Sequence, residues 1–327
     1  MPKNRSLAAT SLLAVSALVI AGCSTGEATE KDPGSASTIT VEDNAGSQSV
    51  SVPPASVVAL DNRSFETLDS WDVDLSAGAV TLMPDTVSYV EDDSILDIGS
   101  HTEPKLELIV EANPSLVING QRFTQHQDDI ADLVPDATII NLEPREGEPL
   151  DAELKRQTTT LGEIFGKEAE AEQLVADFDA AVEKAKTAYH IADSVMAVTV
   201  SGGEIGYIAP GVGRTLGPVF DLLALTPALE VEGATSDHQG DDISVEAIAD
   251  SNPAWILVMD RDAAISADDA SYTPAADVLE NSEALANVTA IDESQVIYMP
   301  ADTYTNEGIQ TYTEFLNDFA DALEAAK

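Results

Sequence analysis

Arginine is scarce in this chain, and its placement is informative. Lys and Arg together number 15 against 59 for Asp and Glu, a formal net charge of −44 over 327 residues. Past residue 22, only six arginines remain. Four of them sit where an α/β fold places ligand-facing groups. Arg63 follows the apolar run ending at Leu60, Arg122 follows SLVI, and Arg261 follows WILVM. Arg214 lies in the Gly- and Pro-rich stretch IAPGVGRTLG, after Tyr207-Ile208. Ligands of open α/β sheets bind beyond the carboxyl ends of the strands, and the planar, permanently charged guanidinium suits oxyanions. Positive charge kept at such positions in so acidic a chain points to an anionic ligand. Taken singly, each arginine could pair with a nearby carboxylate. As a set they favour a shared cleft, with Asn62 and Tyr207 as candidate lining residues.

Two of these arginines end matched units. Glu107-Leu-Ile109 leads to Asn113-Pro114, an apolar run and Arg122; Glu246-Ala-Ile248 leads to Asn252-Pro253, an apolar run and Arg261. The spacing from Glu to Pro is 7 in both units, and from Pro to Arg 8 in both. Pro stops a helix by removing a donor and restricting the residue before it. Each unit therefore reads as a helix opened by Glu, an Asn-Pro stop, a buried strand and an arginine. The repetition implies two homologous lobes.

The elements that would position these groups are legible from hydrophobic patterning. Strand candidates are 56–60, 115–118, 137–140, 194–200, 255–259 and 296–298, rich in Val and Ile and bounded by turn residues. Amphipathic stretches separate them, so the expected class is α/β with parallel central sheets in two Rossmann-like lobes. KEAEAEQLVADFDAAVEKAKTAY, from Lys167, has no Gly or Pro and repeats its apolar residues at helical spacing. It is expected to be one long connecting helix over 167–190, between an N-terminal lobe at 38–166 and a C-terminal lobe at 191–327.

The amino terminus reads as an address. Residues 1–22 have a basic start and an apolar run, as a signal peptide does. Ile20-Ala21-Gly22-Cys23 resembles the lipobox of bacterial lipoproteins, which implies cleavage before Cys23 and a lipid on that residue. Residues 23–37 continue as a small, polar, flexible tether. The expected location is the outer face of a cell membrane, lipid-anchored. The acidity itself disfavours nucleic acid as a partner.

With these features in place, the sequence resembles the substrate-binding lipoproteins of bacterial ABC importers for iron–siderophore complexes, from about Thr38 to Ala326. VEDNAGSQSVSVPPASVVALDN looks like the family's opening hairpin and first strand. IGSHTEPKLELIVEANPSLVINGQR and HQGDDISVEAIADSNPAWILVMDR look like its two lobe signatures. The resemblance implies two α/β lobes, a ferric siderophore between them, and a subgroup that takes catecholate-type siderophores on three convergent arginines, here Arg122, Arg214 and Arg261. Gly120-Gln121-Arg122 departs from the subgroup's usual Gly-Arg order by one residue. The resemblance also implies that His238 and Tyr304 could contact ferric iron directly, with His101 and His126 as lesser candidates. Ferric iron is hard and favours phenolate-type oxygen. Glu107 and Glu246 match the family's glutamates that dock on the permease, Glu103 being the reserve. A monomer without a permanent cofactor is expected.

Three other readings compete with this one. GxSxG, P-loop and HExxH motifs are absent, and Cys23 is the one cysteine, so an enzyme is not expected. A bare zinc or manganese carrier would need clustered His, and the four His present form no close pair. A haem or cobalamin carrier on the same fold stays open.

Overall fold

The computed structural model describes residues 37–327; Cys23, the signal segment and the tether up to residue 36 lie outside them. The described chain opens with an antiparallel hairpin, β1 (Ser37–Asp43) and β2 (Gly46–Val52), in which Asp43 pairs with Gly46. Gly46 takes φ 117°, a conformation that costs a glycine little.

Two five-stranded sheets follow. The first is wholly parallel, in the order β5-β4-β3-β6-β7, from β3 (Val57–Ala59), β4 (Ala77–Gly78), β5 (Leu96–Asp97), β6 (Leu116–Asn119) and β7 (Thr138–Asn141). The second runs β10-β8-β11-β12 in parallel, from β8 (Ser194–Ser201), β10 (Thr226–Pro227), β11 (Trp255–Asp260) and β12 (Val296–Tyr298). Strand β9 (Glu204–Tyr207) adds to β8 antiparallel. Along β11, Trp255, Leu257 and Met259 pack into one core while Ile256 and Val258 pack into another. Both faces of that sheet are therefore covered, which is why its sequence is continuously apolar rather than alternating.

The strand order reverses at corresponding places, between β3 and β6 in one sheet and between β8 and β11 in the other. Crevices open at such switch points. Arg63 follows β3, Arg122 follows β6 and Arg261 follows β11. The internal repeat has a structural counterpart at each step. Glu107 begins the helix Glu107–Ala112 and Glu246 is second in the helix Val245–Ser251. Asn113 (φ 45°) and Asn252 (φ 43°) close these helices in the left-handed conformation. Each is followed by its Pro and then by a central strand.

The helix Glu168–Ala188 touches both halves. Ala171 belongs to the first core, Phe178, Ala181, Val182, Ala185 and Ala188 to the second, and Leu174 packs against both. It shares this task with the preceding helix, Leu150–Phe165, which places Leu161 and Ile164 in the first core and Leu154 in the second. Gly166, at φ 65°, turns one helix into the other. The bridge is thus a helical hairpin, against which the C-terminal helix Ile309–Ala325 also packs.

The chain makes a further tie between the halves after β12. Over residues 302–310 it is hydrogen-bonded repeatedly to the first half. Thr86 Oγ1 donates to Asp302 Oδ2 at 2.7 Å, Asn62 Nδ2 to the Thr305 carbonyl at 2.9 Å, Asn306 Nδ2 to Glu66 Oε2 at 2.9 Å, and Thr67 Oγ1 to Gln310 Oε1 at 2.7 Å. This strap carries the residues on which the site is built.

A candidate anion-binding site

Tyr304 occupies the 3-10 turn Thr303–Thr305 within the strap and is 8% exposed. Three guanidinium groups surround its ring. The Cζ atoms of Arg261, Arg122 and Arg214 lie 4.7, 4.9 and 5.1 Å from its centroid, within the range of cation–π attraction. The three arginines come from separate elements. Arg122 lies in the 3-10 turn that follows β6, Arg261 opens the turn after β11, and Arg214 sits in the glycine-rich loop after β9. That loop requires its glycines: a Cβ on Gly213 would meet the Ala209 nitrogen at 2.7 Å, and one on Gly217 the Ala209 carbonyl oxygen at 2.7 Å. Gln121, the residue before Arg122, takes φ 48°.

Burial pushes the Tyr304 hydroxyl up, but the neighbouring Arg261 and Arg122 guanidiniums pull it down further, leaving it below the usual phenol range. The arginines keep spare donors. Among the described residues, Arg122 Nη1, Arg261 Nε, and Arg63 Nε and Nη1 are buried without a hydrogen-bond partner. An unpaired buried donor is costly, and Arg122 and Arg261 carry such donors on guanidiniums beside the same Tyr304 ring. Arg122 also has no ion-pair partner among the described carboxylates, while Arg261 Nη1 lies 3.3 Å from Asp262 Oδ1 and donates to Ser201 Oγ at 3.0 Å.

One member of the site escapes sequence reasoning. Glu307, 1% exposed, receives Arg63 Nη2, Arg214 Nε and Arg214 Nη2, each at 3.1 Å. Gln121 Nε2 donates to it at 2.7 Å and Thr215 Oγ1 at 2.5 Å. Burial raises its pKa, but the charges of Arg214 and Arg63 and its hydrogen bonds outweigh that and hold it down at about 2. Nothing local marks Glu307 among 59 acidic residues; only its proximity to Tyr304 in sequence hints at the site.

The other expected residues fall as follows. Tyr207 is 1% exposed, belongs to the core and donates its hydroxyl to the Leu229 carbonyl at 2.6 Å, so it does not line the cleft. Asn62 is buried with its amide nitrogen donating to the Leu82 and Thr305 carbonyls, the latter tying the halves together, while its Oδ1 is left without a partner. Arg63 reaches the site through Glu307. His238 lies half exposed in the loop before Ser244, with Asp237 Oδ1 3.9 Å from its Nδ1. That loop is pinned to β9, since a Cβ on Gly206 would meet the Gln239 carbonyl oxygen at 2.0 Å. His101 and His126 flank Arg122: His126 Nε2 is 2.8 Å from the His101 carbonyl. The His101 ring is held below the usual imidazole range by burial and then by the Arg122 charge. Glu107, Glu246 and the reserve Glu103 are exposed. No three His, Cys, Asp or Glu side chains among the described residues converge as a bare-metal cage would require.

One cavity, about 870 Å³, is a neighbouring acidic groove lined by Glu66, Asp85, Asp268, Asp269, Asp302 and Glu314 among others. None of the four arginines lines it. The arginine centre is marked as the site by its chemistry: three guanidiniums around one phenol ring.

Comparison with known proteins bears on family and fold. The family model described as periplasmic binding protein matches residues 57–303. The petrobactin-binding protein of Bacillus subtilis is 28% identical over 323 residues, covering 95% of this chain and 96% of that protein. The ferric-anguibactin-binding protein of Vibrio anguillarum is 30% identical over 227 residues, 69% of each chain. The crystal structure of the Bacillus subtilis petrobactin-binding protein superposes with a TM-score of 0.72 at 26% identity, covering 88% of this chain and 99% of that one.

Proposed function

The chain belongs to the periplasmic binding protein family, whose members bind cargo rather than transform it, and on that premise we propose that it captures an anionic ferric siderophore and delivers it to an ABC permease. Relatives named for petrobactin and for ferric anguibactin support the siderophore class. The observation that carries the ligand assignment is the convergence of Arg122, Arg214 and Arg261 on Tyr304, with unpartnered guanidinium donors around it. Such donors, held in a partly desolvated space, recognise the oxyanions of a ferric catecholate more strongly than they would in water. A phenol drawn toward its ionised form is the oxygen donor that ferric iron favours. Tyr304 is therefore the proposed direct contact when the siderophore leaves iron coordination incomplete, and His238 the proposed second. Cys23 is the proposed lipid anchor on the extracytoplasmic face, on the strength of the IAGC sequence.

The test is intrinsic-fluorescence titration of the soluble domain, with Trp71 and Trp255 as reporters. Titrants are ferric tetradentate and hexadentate catecholates, ferric hydroxamate, haem, cobalamin and free zinc. Saturable quenching by a ferric catecholate is expected, weakened about tenfold or more in Arg122→Ala or Arg261→Ala, as removal of a charge-assisted hydrogen bond implies. Binding of haem or cobalamin alone would overturn the ligand class, and binding of bare zinc alone would overturn the arginine argument.

A further inference from the structure

The cleft arginines divide by what Glu307 does to them. Arg63 and Arg214 both donate to its carboxylate, whereas Arg122 and Arg261 do not. Glu307 also gathers partners across the molecule: Arg63 and Gln121 come from the ends of β3 and β6, and Arg214 and Thr215 from the loop after β9. Gln121 and Thr215 are both non-glycine residues in the left-handed region, at φ 48° and 66°. Such backbone is mildly strained and persists where surroundings impose it; here each of the two side chains ends on the same carboxylate. Asp61, the other buried carboxylate nearby, accepts instead from Gln157 Nε2 and the Arg63 backbone N–H. Of these two carboxylates, Glu307 is the one that accepts directly from the guanidiniums of Arg63 and Arg214.

This has a consequence for ligand choice. With Glu307, Asp262 and Asp61 set against four guanidiniums, the cleft keeps a net of about one positive charge. Iron(III) held by two catecholates carries a single net negative charge; held by three, it carries a triple one. We propose that Glu307 is a positioning and specificity-determining residue: by binding Arg63 and Arg214 it fixes Arg214 against Tyr304 and limits the cleft's positive charge, favouring a ferric complex of low charge over a highly charged one. The inference rests on the ferric-siderophore reading above and names which complexes of that class the site prefers.

The experiment compares dissociation constants of the ferric tetradentate and hexadentate catecholates for the wild-type domain, Glu307→Gln and Arg63→Met, each at low and high salt. Glu307→Gln keeps the size of the side chain and removes its charge. It is expected to shift preference toward the triply charged complex by about tenfold or more and to steepen the salt dependence of that complex. Arg63→Met removes a positive charge and is expected to shift preference the opposite way. A thermal melt accompanies each variant; should Glu307→Gln fail to fold, Arg63→Met decides by the sign of its shift. Unchanged preference in folded variants, or equal weakening toward both complexes, would reduce Glu307 to a structural ion pair and overturn the proposal. If the wild-type protein binds neither complex, the functional reading fails first and takes this inference with it.

Discussion

Tyr304 is a phenol placed where an anion belongs. Its ring satisfies three guanidiniums by cation–π contact, and its oxygen is biased toward the ionised form by Arg261 and Arg122 against the opposing effect of burial. Replacement by Phe keeps the ring and removes the oxygen. Tyr304→Phe is therefore expected to melt like the wild type while losing about tenfold or more in affinity for a ferric tetradentate catecholate. The hexadentate complex, whose iron already has a full set of oxygens, should be affected only about threefold or less. The visible spectrum of the tetradentate complex should also lose the shift that phenolate coordination adds. Equal loss for both complexes would mean that Tyr304 serves only as a platform for the arginines. The four arginines could be picked out from their types and neighbours in sequence, and Tyr304 only through the family resemblance. Whether a side chain faced the cleft could not. Tyr207 lies at the end of β9 and Asn62 just after β3, yet one points into core and the other spends its amide on two carbonyls.

At the scale of elements, the matched helix–stop–strand units show why the repeat was readable. Asn at a left-handed helix end, Pro after it and a continuous apolar strand are local devices, and local devices leave local traces. Their equivalence is open to measurement. Asn113→Val puts a β-branched residue at φ 45° and is expected to lower stability by about 1–2 kcal/mol in urea denaturation. Asn113→Gly should be close to neutral, because glycine adopts that backbone freely. Asn252→Gly should cost about 1 kcal/mol more than its counterpart, since Asn252 Oδ1 also accepts from the Thr289 backbone N–H at 2.9 Å. Indistinguishable costs for the two glycine variants would remove that hydrogen bond from the account. The elements that sequence reading missed are of the opposite kind. Strands β4, β5 and β10 are two residues each and form by pairing with an existing edge rather than by their own pattern. The helix Leu150–Phe165 shows how a neighbour changes the meaning of an element. It makes the bridge a hairpin, because an apolar face on one long helix calls for a second surface to cover it.

At the scale of the whole molecule, Glu107 and Glu246 occupy corresponding exposed first turns of the two repeated units. A carboxylate is tolerated at the positive end of a helix, and a pair of them, one per sheet, offers two points of contact to a basic partner. The proposed docking role predicts that Glu107→Ala combined with Glu246→Ala leaves ligand affinity within about twofold and stops uptake of radiolabelled ferric siderophore in cells. Normal uptake by the double variant would sink it. The sequence by itself determined the class of fold, the two matched helix–stop–strand units, six of the strands and the arginines that follow them, because each follows from periodicity or from residues close together in the chain. Only the tertiary structure decided that the arginines meet on Tyr304. It alone also revealed the strap over 302–310 and the role of Glu307, which is indistinguishable in sequence from the other acids of an acidic chain. The physical reason is that Glu307 acquires its character from Arg63, Gln121, Arg214 and Thr215, which are brought together from distant parts of the chain. No local pattern encodes a meeting of that kind. It exists only once both sheets have formed and been set against each other.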